Sequence, residues 1–402
     1  MNKKNKIIIL GGGIIGISLA REAALSKKFS EIRLIEKDEK LGSHSTTRNS
    51  GVIHAGFYYS PESKKAAFCS KGNKLMRKYC LDNNLKTKRC GKVVVTRNQK
   101  EEEILLELFD RGKKNGCKLK IFKKEKLFEY ESLALTYRNF LWSPNTWSIS
   151  PQELLECLIK ECKILNVNFT TGEKIISASK DHIETSKNNK FYFDFLINAC
   201  GGYSIEVAKI FGIKTNYKLL PFKGLYLKSS KKFKKFKRHI YPVPDMQQPF
   251  LGIHTTITSE DYLKLGPTAI PAFSPENYSL LEGLDFPLSK EILLLQISLL
   301  ANNEFGFRDL AFREIQYLIK NNILKKASEL TSESLENIDF KWHSPGIRAQ
   351  LFNKSTKKLE NDFVFINKDN TFHILNTISP AWSCCFINAE KIITNLIKKM
   401  IN

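Results

Sequence analysis

Three glycines near the start of the chain have a spacing that suits phosphate binding. Gly11, Gly13 and Gly16 form a GxGxxG pattern directly after the apolar run at residues 6–10. Glycines at these positions permit a tight turn, a close approach of the backbone to a pyrophosphate, and close packing of the following helix. Glu36 follows Gly16 by 20 residues and is placed to accept hydrogen bonds from ribose hydroxyls, which disfavours a 2′-phosphate. The pattern predicts a dinucleotide site, with a ligand-free glycine turn as the alternative.

The next segment, residues 44–59, combines small and polar residues with two histidines in the sequence HSTTRNSGVIHAGFYY. Residues 50–52 (SGV) would let the backbone approach a flat ring closely. His54 lies a short distance beyond them, and a histidine with its ordinary pKa near 6.5 is suited to removing a hydroxyl proton. His44 fits a hydrogen-bonded structural role as well as a binding role.

The elements around these residues predict an α/β fold. The run 6–10 is typical of a central parallel strand, residues 17–25 have helical periodicity, and residues 31–35 give a second strand. Two later segments are predicted to belong to the same domain. They are a second strand-to-glycine junction at 191–202 and a terminal helix from about Ala381. We therefore expect one nucleotide-binding domain with a second lobe threaded through it.

Composition restricts the function classes. The 402 residues, 42% of them hydrophobic, suit a multidomain globular protein. The net charge of +23 has no accompanying nucleic-acid motif, so nucleic-acid binding is not expected. The nine cysteines form no CxxC pair and no metal-ligand spacing with histidine, so no metal is expected. Without a signal peptide or a run of about eighteen apolar residues, the sequence predicts a cytoplasmic protein or one on a membrane surface.

The segment 44–59 resembles the L-2-hydroxyglutarate oxidase/dehydrogenase family, within the D-amino-acid-oxidase-like flavoproteins. The family segment reads approximately HxTxxNSGVIHAGxYY. Further blocks follow in family order over nearly the whole chain: KRCGKVVV (88–95), INACG (197–201), YPVPD (241–245), PFLGIHTT (249–256), LGPTAIPAFSPENY (265–278), SPGIRAQ (344–350) and HILNTISPA (373–381).

The resemblance implies a D-amino-acid-oxidase-like α/β fold with two discontinuous domains. The FAD-binding Rossmann-like domain would comprise residues 1–85, 146–205 and 341–402. The interleaved α+β substrate domain would comprise residues 86–145 and 206–340.

The resemblance also implies non-covalent FAD and oxidation of L-2-hydroxyglutarate to 2-oxoglutarate, with hydride passing to the flavin. His54 is then the candidate base. Arg348 would face a substrate carboxylate, for which its planar guanidinium group is well suited. His254, Lys223 and Tyr59 would lie on the substrate side.

The expected FAD contacts are spread over the chain. Residues 379–381, at the start of the terminal helix, would approach the flavin ring and stabilise negative charge on the reduced flavin. The full set is Gly11, Gly13, Ile14, Ile15, Gly16, Glu36, Lys37, His44, Ser45, Ser50, Gly51, Val52, Ile175, Ala199, Gly201, Gly346, Ser379 and Ala381.

Three blocks depart from the family pattern. Residues 223–226 read KGLY where an Arg-Gly-Glu-Tyr type is usual, residues 266–269 read GPTA for GPNA, and residues 382–385 read WSCC where small or hydroxyl residues are common. Another 2-hydroxy acid or glycerol 3-phosphate therefore stays open as the substrate. An amine oxidase would make His54 superfluous, and a flavin protein without turnover would need neither His54 nor Arg348.

The electron acceptor is either oxygen or a membrane quinone. The basic run 231–238 (KKFKKFKR), with Phe233 and Phe236 interleaved, and the apolar stretch 292–300 could contact anionic lipid. The alternatives are a solvated hairpin tip and a buried helix. The expected location is the cytoplasm or the cytoplasmic face of the inner membrane.

Overall fold

The computed structural model describes residues 5–245, 250–279 and 282–401. Contacts between residues divide the chain into two compact units, each built from more than one segment. Unit 1 comprises Met1–Thr47, Pro151–Leu219 and Ala349–Asn402, and unit 2 comprises Arg48–Ser150 and Leu220–Arg348. Pro249, the first residue of the PFLGIHTT block, lies outside the described residues, as do residues 1–4.

Unit 1 is built on a six-stranded sheet within the described residues. In order across the sheet, its strands are Val364–Lys368, Thr371–Asn376, Phe195–Asn198, Asn5–Leu10, Phe29–Ile35 and Asn168–Thr170. Neighbours pair in parallel, except that the first two form an antiparallel hairpin. Residues 7–10 are each at most 2% exposed, because a central parallel strand is covered on both faces.

Five helices of unit 1 accompany this sheet in the described residues. They are Ile14–Ser26, Pro151–Ile164, the short Gly201–Tyr203, Ser204–Ile210 and Cys385–Ile401. A separate antiparallel sheet is formed by Ile175–Ala178, His182–Thr185 and Lys190–Tyr192. The terminal helix begins at Cys385, not at Ala381 as expected. The Cys384 N–H donates to the carbonyl of Pro380, so a turn precedes the helix.

Unit 2 contains a mixed, largely antiparallel sheet. In order across it, the strands are Phe340–Asn353, Tyr217–Ser229, Leu263–Gly266, His254–Ile257, His239–Pro242, Lys92–Val95, Asn139–Ser143 and Lys120–Lys123. The strands His239–Pro242 and Lys92–Val95 pair in parallel. Shorter strands of unit 2 are Val52–Ile53, Thr87–Lys88, Trp147–Ile149 and Ile270–Pro271. In unit 1, Lys358–Leu359 pairs with Phe352 and Asn353 at the end of the strand Phe340–Asn353.

The helices of unit 2 begin at residues that satisfy their free N–H groups. Ser63, Asn98 and Asp285 each accept a hydrogen bond from the first turn of the helix that follows. The α-helices are Lys64–Asp82, Gln99–Lys114, Leu127–Tyr130, Phe286–Asn302, Phe307–Ile315 and Lys320–Ser328, and the short 3₁₀ segments are Lys124–Lys126, Glu304–Gly306, Gln316–Leu318 and Leu335–Asn337.

The observed α/β architecture agrees with the expected fold class. The contact-based units differ from the expected domain boundaries at residues 146–150, 206–219 and 341–348 and over the longer segment 48–85, so those domain boundaries stay a prediction. Residues 48–85 are expected in the FAD-binding domain, whereas their contacts place them in unit 2. The strand Val52–Ile53 pairs with Trp147–Ile149, and the Asn73 side-chain amide donates to the carbonyl of His54. These contacts hold the histidine segment within unit 2.

The basic segment 231–238 is anchored to the interior of unit 2. Phe236 is 2% exposed and belongs to the hydrophobic core, against which Phe233 packs. The backbone N–H groups of Lys237 and Arg238 both donate to Glu131 Oε2, each at 2.7 Å. Its aromatic side chains therefore pack against the core, while contact of its exposed lysines with lipid stays a prediction.

In the parts of the chain that the structure covers, no helix is both long enough and apolar enough to cross a membrane.

Candidate active site

The glycine loop of unit 1 is closed to side chains at two positions. Gly11 has a φ of +106°, and a Cβ there would lie 2.5 Å from the carbonyl oxygen of Ala199. A Cβ on Gly16 would lie 1.9 Å from the carbonyl oxygen of Gly11. The loop therefore requires glycine to turn directly from strand to helix, so that the N-terminus of the helix Ile14–Ser26 lies at the end of the central strand.

Gly13, the remaining glycine of the pattern, leaves open space beside this helix N-terminus. A Cβ on Gly13 would meet only Thr46 Oγ1, at 3.2 Å. The hydroxyl of Thr46 accepts from the Ile14 N–H at 2.9 Å, and Gly13 provides no side-chain cap. Open space, the remaining N–H groups of the first helical turn and the positive end of the helix dipole suit a pyrophosphate. The residues present in unit 1 therefore fit the phosphates of FAD.

Glu36 lies at the end of the second strand and faces the glycine loop. Its Oε2 accepts from the Gly12 N–H at 2.6 Å, and its Oε1 accepts from the Asp38 N–H at 3.0 Å. Each carboxylate oxygen retains a lone pair for a ribose hydroxyl. The same carboxylate thus fixes the loop and is available to a nucleotide.

Lys37 and His44 both contact Asp38. The Lys37 ammonium lies 2.7 Å from Asp38 Oδ1, and His44 Nε2 lies 2.7 Å from Asp38 Oδ2. This arrangement gives His44 a structural partner, while its contact with FAD stays a prediction.

The remaining expected FAD contacts differ in accessibility. Ile175 is buried in a core cluster of unit 1, Ala381 is buried, and Ser379 is exposed. Gly201 has a φ of +54° and open space around its Cβ position. Ile15, Ser45 and Ala199 also lie in unit 1, whereas Ser50, Gly51, Val52 and Gly346 lie in unit 2.

His54 lies in unit 2, directly after the strand Val52–Ile53. Its carbonyl accepts from Asn73 Nδ2 at 3.0 Å, which fixes the backbone that carries the imidazole. Burial, together with the smaller effect of the positive charge of Lys92, lowers the pKa of His54 to about 3. The imidazole is therefore neutral at pH 7 and can accept a proton.

Lys92 is the unexpected residue of this region. It is 0% exposed, although it opens the strand Lys92–Val95. Its ammonium lies 4.5 Å from the ring centroids of Phe57 and Tyr58 and 4.3 Å from that of Tyr241. Its hydrogen-bond partner is the Tyr58 hydroxyl, at 3.3 Å, and within the described residues it has no carboxylate partner. Burial lowers the pKa of Lys92 to about 7.

His254 and Tyr241 form a stacked pair beside Lys92. Their ring centroids are 3.7 Å apart and their planes differ by 26°. His254 Nδ1 lies 2.8 Å from the carbonyl oxygen of Gly252, so Nδ1 carries the proton and Nε2 is left as an acceptor. Burial lowers the pKa of His254 to about 3, and the charges of Lys92, His54 and Arg348 act in the same direction.

The backbone carbonyl of Thr268 and the aromatic ring of Phe250 hold the Arg348 side chain. Its Nη1 donates to the carbonyl of Thr268 at 3.1 Å, and its guanidinium carbon lies 5.0 Å from the ring centroid of Phe250. Burial lowers the pKa of Arg348, while Tyr226 and Glu314 act to raise it. No ion pair joins Arg348 to a carboxylate of the described chain, so its guanidinium is available to an anionic ligand.

The structure thus associates some of the expected substrate residues and not others. His54 and Arg348 both act to lower the pKa of His254. Lys223 instead donates to the carbonyl of Ser279 at 3.1 Å. Tyr59 lies under the Lys65 ammonium, 5.5 Å from it.

Sequence reasoning missed Lys92 and Tyr241. Each stands in a block that carried the family resemblance, KRCGKVVV and YPVPD. The available signal was a lysine opening an otherwise apolar, β-branched strand, where a charged residue is rarely buried without a partner.

Comparisons with known proteins identify the family of the chain. The FAD dependent oxidoreductase family (DAO) matches residues 6–390. The mitochondrial L-2-hydroxyglutarate dehydrogenase of Caenorhabditis briggsae is 31% identical over 98% of this chain and 94% of its own. The L-2-hydroxyglutarate dehydrogenase of Escherichia coli (strain K12) is 29% identical over 93% of this chain and 89% of its own.

Among solved structures, L-alpha-glycerophosphate oxidase from Mycoplasma pneumoniae with FAD bound has a TM-score of 0.73 at 19% identity, covering 98% of this chain and 94% of that one. The D-amino-acid-oxidase-like fold expected from the sequence is therefore confirmed, as is FAD as the cofactor. Given the family match and the 31% identity across almost the whole chain, the protein belongs to the FAD-dependent oxidoreductases and, within them, to the L-2-hydroxyglutarate dehydrogenase family.

Proposed function

We propose that this protein oxidises L-2-hydroxyglutarate to 2-oxoglutarate. The observation that carries the proposal is the buried group of unit 2, where a neutral histidine, His54, adjoins a lysine, and where Lys92 and Arg348 have no carboxylate partner within the described residues. A 2-hydroxy dicarboxylate supplies two negative charges and one hydroxyl, which match these groups. The names of the related proteins support the same substrate.

His54 is proposed as the base. Conversion of the C2 alcohol to a ketone requires loss of the hydroxyl proton and of the hydrogen on C2 with its two electrons. Bound FAD supplies the acceptor for those two electrons. The neutral imidazole of His54 takes the proton, and carboxylates bound beside Lys92 and Arg348 raise its pKa by offsetting their positive charge. The histidine thus becomes a stronger base when substrate is present.

FAD is proposed to bind through the residues that the sequence indicated. The helix start at Gly13, Ile14 and Ile15 would hold the pyrophosphate, and Glu36 the ribose. The positions Lys37, His44, Ser45, Ser50, Gly51, Val52, Ile175, Ala199, Gly201, Gly346, Ser379 and Ala381 stay predicted contacts. Lys223 and Tyr59 stay predicted substrate contacts.

Anaerobic flavin reduction tests this function directly. The purified protein is mixed with L-2-hydroxyglutarate, D-2-hydroxyglutarate, glycerol 3-phosphate, L-malate or L-lactate, and the absorbance of oxidised flavin is followed. We expect the fastest bleaching with L-2-hydroxyglutarate. Faster bleaching with glycerol 3-phosphate would identify that compound as the substrate instead. No bleaching with any of the five compounds would argue for a flavin protein without this activity.

We further propose that unit 2 binds the surface of an anionic bilayer through an exposed apolar face, defined by eight side chains. They are 45–81% exposed and comprise Phe286, Leu293, Leu294, Ile297, Phe312, Ile315, Leu318 and Ile319. The net charge of +23 favours anionic lipid. Access to a bilayer makes a membrane quinone the proposed acceptor rather than oxygen, and the cytoplasmic face of the inner membrane the predicted location.

Sedimentation with lipid vesicles tests the membrane proposal. The wild-type protein should sediment with vesicles containing anionic lipid, and the double variant Leu294→Ser, Ile297→Ser should stay in solution. Ile176→Ser, at another exposed apolar side chain (52% exposed) in unit 1, serves as the control. Equal sedimentation of all three proteins would refute the assignment of this face.

A further inference from the structure

We propose that Lys92 and Tyr241 form an anion-binding subsite that holds one carboxylate of a dicarboxylic substrate. This subsite rests on the proposed function and adds to it the residues that select a second carboxylate. It is separate from Arg348, which is held by Thr268 and Phe250. Three observations support it.

The first observation is the lysine itself. Lys92 is wholly buried, and a buried ammonium loses the hydration that stabilises its charge. Three aromatic rings and the Tyr58 hydroxyl are its contacts. Rings attract a cation through their quadrupole but do not neutralise it. A carboxylate bound at the ammonium would supply the missing negative charge.

The second observation is the Tyr241 hydroxyl. Tyr241 is fully buried, and within the described residues its hydroxyl has no hydrogen-bond partner. A buried hydroxyl without an acceptor is costly, and such groups are normally satisfied by protein, water or a ligand. Its ring lies 4.3 Å from the Lys92 ammonium, so one oxyanion is the kind of ligand that both groups can bind.

The third observation connects the subsite to the residues proposed for catalysis. The Tyr241 ring stacks on that of His254 at 3.7 Å, and His54 lies close enough to Lys92 for the lysine charge to lower its pKa. A carboxylate bound by Lys92 and Tyr241 would therefore position the rest of the molecule beside both histidines.

Binding of an unreactive dicarboxylate tests the subsite without turnover. The FAD-loaded protein is titrated calorimetrically with glutarate, a five-carbon dicarboxylate without a hydroxyl, and with butyrate, a monocarboxylate. We expect Lys92→Met to weaken glutarate binding at least about tenfold, because truncating one partner of a buried charge pair is costly. Butyrate affinity should change by no more than about twofold, since one carboxylate can use Arg348.

Tyr241→Phe gives an independent measurement that keeps the ring and its stack on His254. Loss of one hydrogen bond should weaken glutarate binding by roughly three- to tenfold. Lys120→Met and Tyr137→Phe, at exposed side chains of unit 2, should bind glutarate like the wild type. FAD content, measured by absorbance after acid release, should be equal in all four variants.

The outcomes separate this subsite from the proposed function. Glutarate binding that is unchanged in Lys92→Met, or absent from the wild type, would overturn the subsite even if L-2-hydroxyglutarate bleaches the flavin. If Lys92→Met fails to fold, unchanged glutarate affinity in Tyr241→Phe overturns it instead. Lys92-dependent glutarate binding without flavin reduction by L-2-hydroxyglutarate would support the subsite and remove only the proposed substrate.

Discussion

Replacing Lys92 by methionine should make the ligand-free protein more stable near neutral pH. Methionine has a similar length and no charge, so it can occupy the space between the rings of Phe57, Tyr58 and Tyr241 without the cost of a buried ammonium. The wild-type lysine remains in place because, in our proposal, it binds substrate. The variant therefore gains stability and loses binding.

The size of the gain follows from the pKa of Lys92. Its value in the folded protein is about 7, against 10.5 for an unburied lysine. Between these values the unfolded chain holds a proton that the folded protein has released, so stability falls as the pH is lowered from 10.5 to 7. The slope is up to about 1.4 kcal/mol per pH unit. Allowing for relaxation around the charge, the total destabilisation below pH 7 is on the order of 2–5 kcal/mol.

Urea unfolding at pH 6, 7, 8 and 9, followed by tryptophan fluorescence, measures this effect. Lys92→Met should be more stable than the wild type at pH 6, and the difference should shrink as the pH rises. Lys264→Met is the matched comparison, since Lys264 is also buried and its pKa is also lowered to about 7 by burial. It should show the same pH trend but leave glutarate binding intact. If Lys92→Met is no more stable than the wild type at any pH, burial of the Lys92 ammonium does not destabilise the folded protein, which would refute this prediction.

Three further predictions concern the cofactor and the reaction. Gly13→Val should abolish FAD binding, because the branched side chain would fill the space beside the helix N-terminus, and a yellow variant with full FAD content would contradict this. Arg348→Lys should raise KM for L-2-hydroxyglutarate far more than Lys231→Ala, whose side chain is exposed, because lysine lacks the bidentate geometry; equal small effects would make Arg348 structural. His54→Asn should retain FAD and slow anaerobic flavin reduction by roughly 10²–10⁴-fold. Because the pKa of His54 is about 3 in the ligand-free protein, kcat/KM should show no limb from His54 between pH 5 and 7, and a limb near pH 6.5 that disappears in His54→Asn would show that its pKa is ordinary.

Local patterns in the sequence predicted much of the structure of unit 1. The apolar run at 6–10 and the glycine spacing determine a buried strand and a tight turn, and both are found. The carboxylate at Glu36 lies at the end of its strand as expected. These features depend on residues that are close in sequence or repeat with a strand or helix period.

The site of unit 2 was less accessible to such reasoning. Lys92 and Tyr241 are 149 residues apart in the chain, and they meet because the strands that carry them pair in parallel, with Tyr241 opposite Val94. No local period predicts that register. The pairing of Val52–Ile53 with Trp147–Ile149 is likewise a long-range contact that no local pattern predicts.

The parallel sheet of unit 1 also constrains how the protein is made. Ile9 pairs with Ile197, and Ile197 pairs with Phe372, so the strand neighbours are synthesised long after one another. At about 5–20 residues per second, the first strand waits roughly 10–40 s for its partner. During that interval a strand whose residues 7–10 are all apolar has one unpaired edge, which is a template for aggregation. We therefore expect the nascent chain to depend on chaperones, and its yield to rise when it is expressed at low temperature with chaperones in excess.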